Sequence, residues 1–268
     1  MEIRKLIRLR GSYLLYLPKK VASGYVSDEV LVFWEGDFIG VRPVASRRAE
    51  VDAGLGAAVV AGYAAGLDEL TLPAAPDVVK AVEKIGAAVS EVDGRYVVKY
   101  RDRYLRKEEV IERMLTALVF LLEGLAGGMA TRTTVMAADD ETDALRLSLN
   151  RLCTKAPTPQ CSFYIQLARY YERAVDHIRE LYRENPSQSL WRVLRDAAVE
   201  LQKVHKNPQI STVTQYLSAI PSTRFMAIQN AQGDLQTIHA VRTVDYLENA
   251  AEVYLDMAVY SQATPTKP

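Results

Sequence analysis

Four carboxylates in this chain stand where they could do chemistry. Glu172 and Asp176 lie four residues apart in a stretch of helical periodicity, and Asp139 and Asp143 repeat that spacing in the segment before it. Residues four apart on a helix share a face, so each pair aims two carboxylates the same way. If the two helices are antiparallel neighbours, four acids gather in one place. Like charges that close raise one another's pKa and are tolerated only beside a cation. Oxygen-only ligands suit hard ions such as Mg, Ca or Mn, and carboxylate-lined bundles also hold iron and zinc. His177, directly after Asp176, could add a nitrogen ligand or orient one. A plainer use of the same residues is also open. Acid pairs at this spacing are common on solvated helix faces, Glu172 can pair with Arg169 or Arg173, and Asp139-Asp140-Glu141 would complement the dipole at a helix start.

Other reactive constellations are missing from the sequence. It contains no P-loop, Gly-x-Ser-x-Gly, His-Glu-x-x-His or Gly-x-Gly-x-x-Gly. The three histidines, His177, His205 and His239, are scattered, so no enzyme is expected. Cys153 and Cys161, with no histidine nearby, cannot complete a four-ligand zinc site. Their spacing leaves two readings open, a pair of reduced thiols or a disulfide closing a short loop.

The elements that must position these groups follow from composition and periodicity. A chain of 268 residues, 49% hydrophobic and 25% charged, can bury a core as one large domain or two to three small ones. The longest nearly apolar run, Met114 to Leu122, is less than half the roughly 20 residues that span a bilayer. The N-terminus alternates charged with apolar residues, unlike a signal peptide. A cytoplasmic chain without membrane insertion is expected.

Charge sums to zero, 33 basic against 33 acidic residues, but is segregated. Residues 1–20 carry Arg4, Lys5, Arg8, Arg10, Lys19 and Lys20 against Glu2 alone, and residues 201–233 contain no acid.

The first 43 residues read as strand, strand, short helix, strand, strand. Ile7 and Leu9 alternate with Arg4, Arg8 and Arg10, which would share one strand face. Tyr13–Leu17 is a second strand stopped by Pro18, a helix follows over 19–23, and Val30–Trp34 with Phe38–Val41 forms a hairpin. So short a segment buries little core, and dimerisation is a common remedy. The next stretch, to residue 106, reads as a small α+β module: a helix over Glu50–Gly66, a strand over Glu69–Leu72, a helix capped by Asp77 and ending near Gly86, and a hairpin about Asp93-Gly94. From Lys107 only helices are expected, at 107–128, 136–154, 160–184, 188–206, 209–231 and 234–262, with Pro221 kinking or splitting the fifth. Two sets of three imply an internal repeat of about 80 residues. In the last helix of each set, Arg169, Glu172 and Asp176 superpose on Arg242, Asp245 and Asn249.

The run from Phe163 to Ile178, with its Ala168-Arg169 lead and Glu172-Arg173-x-x-Asp176-His177 core, resembles the signature helix of the PhoU family of phosphate-uptake regulators. That resemblance implies two three-helix repeats and a metal centre of Fe, Zn or Mg on Asp139, Asp143, Glu172 and Asp176. It also implies a degenerate second site at Asp245 and Asn249. The N-terminus, with Arg4-Lys5-Leu-Ile-Arg8, Gly11-Ser12 and Leu17-Pro18-Lys19-Lys20 before the closing hairpin, resembles the swapped-hairpin AbrB/SpoVT module. This second likeness implies a homodimer presenting Arg4, Lys5, Arg8, Arg10, Lys19 and Lys20 to DNA, with binding that weakens steeply in salt. Archaeal PhoU-like proteins join these two parts through a small α+β segment.

The implied organisation is multi-domain and mainly α. It comprises an AbrB/SpoVT-like DNA-binding and dimerisation domain (1–44), an α+β linker module (45–106), three-helix repeats over 107–185 and 186–262, and a disordered tail (263–268). The expected function is regulation of phosphate transport at the level of transcription. A second reading is an interaction scaffold docking on a phosphate transporter or sensor kinase, its head serving only to dimerise.

Overall fold

The computed structural model describes residues 7–14, 16, 19, 29–35, 38–104 and 106–263. Two hairpins open the chain. β1 (Ile7–Leu9) pairs antiparallel with β2 (Ser12–Leu14), and β3 (Val30–Glu35) with β4 (Phe38–Pro43), each as a separate two-stranded sheet. The helix expected over 19–23, Lys19 apart, and the tail beyond Ala263 lie outside the described residues.

A third sheet has the order β5-β6-β8-β7, from β5 (Arg48–Glu50), β6 (Glu69–Pro73), β7 (Ala88–Val92) and β8 (Arg95–Lys99). β5 runs parallel to β6 and the other pairs are antiparallel. Asp93 and Gly94, at φ 50° and 73°, supply the left-handed pair that a tight β7–β8 turn requires. α1 (Gly56–Ala64) and α2 (Pro76–Ile85) pack on each other and share a core with the sheet. α1 begins later than expected because Val51 is still extended and bonds the Thr71 carbonyl. Asp77 does not cap α2. Ala75 holds that position, and the Asp77 carboxylate instead accepts the Gly56 N–H at 2.7 Å, tying the start of α1 to α2.

Six helices follow: α3 (Lys107–Ala126), α4 (Arg132–Lys155), α5 (Cys161–Arg183), α6 (Gln188–Lys206), α7 (Ile210–Asn230) and α8 (Asp234–Gln262). The described residues are thus mainly helical, with a small N-terminal β region and a helical C-terminal region. Among them no helix is long and apolar enough to cross a membrane. α4 starts four residues before the expected 136 because Thr131 and Thr134 form a reciprocal capping box. α7 is not split: it runs through Pro221, which lies on its exposed side. Cys153 and Cys161 are joined as a disulfide across the α4–α5 connection, which decides between the two readings of these residues.

α3, α4 and α5 pack on one another, as do α6, α7 and α8. The sets join through their first helices, α3 with α6, and their third, α5 with α8. α5 and α8 are antiparallel, since Phe163 meets Tyr260, Tyr170 meets Tyr246 and His177 meets His239. The duplication is visible in burial. Sliding Arg132 onto Ile210 lays buried Val135, Thr142 and Leu149 on buried Val213, Ile220 and Ala227. Sliding Cys161 onto Asp234 lays Leu167, Ala174 and Ile178 on Ala240, Leu247 and Ala251, all fully buried.

A hydrogen-bonded chain crosses the seam between the sets. His205 Nδ1 lies 2.8 Å from the Tyr254 hydroxyl, which lies 2.8 Å from that of Tyr171. Burial pushes both phenols upward, so they stay neutral. Tyr254→Phe leaves two buried polar groups short of a partner and is expected to cost about 1–3 kcal/mol in denaturant titration. A cost indistinguishable from zero would mean that water replaces the hydroxyl.

The α+β module is fused to the bundle through α4. Leu147 belongs to the module's core, and Arg151, 1% exposed, reaches into it. Arg151 Nε lies 2.6 Å from Asp102, and its Nη1 donates to the carbonyls of Tyr63 (3.2 Å) and Leu67 (2.6 Å). Lys155 Nζ joins Asp102 at 2.8 Å and Asp68 at 3.3 Å. Burial alone would raise both aspartates. Hydrogen bonds and charge from Lys155 and Arg151, with the Arg47 N–H on Asp68, outweigh it and hold both carboxyls low. Groups with depressed folded values stabilise above their unfolded pKa, and that contribution disappears as pH falls through the folded values. The module–bundle junction is therefore expected to loosen below the ordinary aspartate value of about 3.9. Proteolytic sensitivity of the 101–106 connection, followed against pH, would show this as a step in acid.

Candidate functional site

α4 and α5 are antiparallel neighbours joined by the disulfide turn, and the four acids of the sequence analysis lie along the seam between them. Asp139 faces Arg179 across the helix pair, and Glu172 faces Arg146. Asp139 feels the charges of Asp176 and Asp143, and so does Glu172. The acids thus feel one another's charge, and cationic side chains of the chain itself stand beside each of them.

Arg179 Nη1 lies 2.6 Å from Asp139 Oδ2 and its Nη2 3.6 Å from Asp176 Oδ1. Arg173 reaches Asp176 at 3.1 Å and Glu172 at 3.5 Å. Lys84, from α2 of the module, donates to Asp143 at 2.8 Å, and Arg146 approaches Asp143 at 3.7 Å. Arg146 Nε stands 3.4 Å from Glu172 Oε1, close enough for ionic attraction but without hydrogen-bond geometry. Four acids thus meet four cations. Asp139 and Glu172 are the buried members. Burial raises both carboxyls; Arg179 on Asp139 and Arg146 on Glu172 pull the other way but do not cancel it. Their protonation favours the folded state, opposite in sign to Asp68 and Asp102. The Lys84 ammonium is held high by its bond to Asp143.

This arrangement locks two helices in register and anchors the module to them. Among the described residues no three His, Cys, Asp or Glu side chains gather as a metal-ligand group. Each of the four acids already has a cationic partner, so as arranged the cluster does not fit a resident ion. It would fit one only with Arg179, Arg146, Arg173 and Lys84 turned away. His177 is not beside the acids: its Nδ1 lies 2.9 Å from His239 Nδ1, with Tyr246 stacked on its ring. Burial, then the neighbouring His239, Arg242 and Arg173, push the His177 pKa down.

The second set repeats the simpler half of this pattern. Arg224 stands where Arg146 does in its helix, and Asp245 where Glu172 does. The two bond at 3.0 Å, and Arg224 also holds Glu248. Asn249 takes the place of Asp176, and no acid from α7 faces it.

Of the six cations expected at the N-terminus, Arg4, Lys5 and Lys20 lie outside the described residues. Arg8 is in β1. Arg10 does not share its strand face: it sits in the β1–β2 turn at φ 31°, exposed, and Lys19 is exposed as well. A period-2 pattern continues on paper past the point where Gly11 turns the chain.

Sequence reasoning missed Arg151, Lys155 and Lys84. Their partners lie 49 to 88 residues away, and nothing in local spacing marks them. Compared with known proteins, the chain matches no family model, no curated protein and no solved structure.

Proposed function

We propose that the chain is a PhoU-like regulator of phosphate uptake. In this reading a tandem three-helix bundle is coupled through the α+β module to a dimeric AbrB/SpoVT-like DNA-binding head, and the protein acts in the cytoplasm without catalysis. One observation carries the reading. The two N-terminal hairpins form separate two-stranded sheets, and Trp34 and Ile39 are 74% and 68% exposed, with Ile7, Leu14 and Val32 also exposed. An isolated hairpin is at best marginally stable in water. A second copy interleaving its own hairpins covers the exposed apolar side chains. The exposed Arg10 and Lys19 then occur twice about a two-fold axis, as a DNA half-site pair requires.

The test is affinity for duplex DNA at about 50 and about 200 mM salt. A head contacting six or more phosphates loses roughly a thousandfold between them. Arg8→Ala/Arg10→Ala should weaken binding and flatten that slope. A weak response, indifferent to salt and to these substitutions, removes the DNA-regulator reading and leaves the scaffold reading.

The metal centre belongs to this proposal only as one that forms when Arg179, Arg146, Arg173 and Lys84 leave the cluster, freeing Asp139, Asp143, Glu172 and Asp176 for Fe, Zn or Mg. Elemental analysis of the protein beside Asp143→Asn/Asp176→Asn decides the point. Metal present in the first and lost in the second supports it, and equal content removes metal from the proposal.

A further inference from the structure

α7 is a helix of 21 residues with one charged side chain, Arg224, and that one is tied to Asp245 and Glu248. Its outer stripe, Ser218, Pro221, Ser222, Phe225, Met226 and Gln229, is exposed throughout. Phe225 and Met226 are 59% and 43% exposed. Nearby, across the turn to α8, Leu235 and Ile238 are exposed too. A surface helix normally turns charged residues outward. This one does not.

The duplication shows what such a stripe is for. On α4 the equivalent positions are Asp140, Asp143, Ala144, Leu147, Ser148 and Arg151. That stripe is the docking face of the α+β module: Asp143 bonds Lys84, Leu147 is buried in the module core, Ser148 bonds Tyr63, and Arg151 reaches Asp102. The second set keeps the helix face but has no module of its own, because only residues 184–187 separate α6 from α5.

Charge selects the occupant. The ionic anchors of the first set, Asp143 and Arg151, become Pro221 and Gln229, so another module of the same kind finds no counter-charge. A charged partner would bury unpaired charges here. A second α7 brings none, so two copies can meet about a two-fold axis without repulsion. Phe and Met with depleted charge are also the composition of interface cores. Beside the stripe lies a groove of about 550 Å³ between α6 and α7; its α6 wall carries Asp196, Glu200 and Lys203, already paired within α6 (Asp196 with Arg195, Glu200 with Lys203). We propose that the α7 face pairs with the α7 face of a second copy of this chain, forming an interface separate from the N-terminal hairpins.

Sedimentation equilibrium of the full chain over a range of concentrations tests this. Phe225→Asp/Met226→Asp is expected to halve the assembled mass with an unchanged circular dichroism spectrum. Ser222→Arg, which touches no core residue, should do the same by placing like charges across the axis. Trp34→Asp/Ile39→Asp removes the hairpin contact separately; combined with the α7 changes it should give a monomer. If Trp34→Asp/Ile39→Asp leaves the mass unchanged while the α7 substitutions halve it, the hairpin reading fails and this one stands. Equal masses for the unaltered chain and both α7 variants overturn the proposal and assign the face to another occupant.

Discussion

Arg151→Ala is expected to lower the stability of the protein by about 3–5 kcal/mol, the range for breaking a buried ion pair from one side. Arg151 is almost wholly buried between α4 and the module. Its loss leaves the Asp102 carboxylate with Lys155 alone, strips the Leu67 carbonyl of its side-chain donor, and leaves the Tyr63 carbonyl with the Gly66 N–H alone. The rings of Tyr63 and Tyr100, which flank the guanidinium at 5.1 and 5.7 Å, lose a cation–π partner and gain a cavity. Arg151→Lys restores the charge but not the fork that reaches a carboxylate and two carbonyls at once, so only part of the loss should be recovered. Denaturant titration followed by tyrosine fluorescence reads both effects. A loss below about 1 kcal/mol, typical of exposed pairs, would show that the site is hydrated and that the module is held mainly by Leu147.

The second large effect concerns Cys153 and Cys161. The disulfide closes a loop with a sequence separation of 8 between the end of α4 and the first residue of α5. Loop-closure entropy for so short a ring is worth about 2.5 kcal/mol. Reduction, or Cys153→Ala/Cys161→Ala, is expected to remove that amount and to lower the melting temperature by several degrees. The consequence reaches the charge cluster, because this turn sets the register in which Asp139 meets Arg179 and Arg146 meets Glu172. Lys84→Ala, which loosens the cluster from the module side, should therefore cost more in the reduced protein than in the oxidised one. Equal costs in both states would separate the disulfide from the cluster.

Much of the architecture is legible in local sequence because its causes are local. Gly127-Gly128, Pro157–Pro159, Asn185-Pro186 and Asn207-Pro208 interrupt helical periodicity, and α3, α4, α5 and α6 each end just before one of them. Asp93-Gly94 specifies a hairpin turn through its left-handed backbone, and that turn is present. The misses have local causes as well. Thr131 and Thr134 cap α4 by a reciprocal pair of hydroxyls that apolar spacing does not reveal, and β5 is too short to show alternation. Pro76 at the first turn of α2 freed Asp77 for the start of α1.

The sequence by itself determined the six helices and the pairing of acids at four-residue spacing, since each depends on residues within a turn or two of one another. Only the tertiary structure showed which side chains of the chain stand beside those acids. Spacing shows that Asp139, Asp143, Glu172 and Asp176 need a positive charge. Whether a metal ion or a guanidinium supplies it depends on which side chains arrive from elsewhere, and Lys84 arrives from 59 residues away. The same holds for Arg151 and for the bare face of α7. Burial, and the charge balance it demands, belong to the packed molecule, not to any segment of its chain.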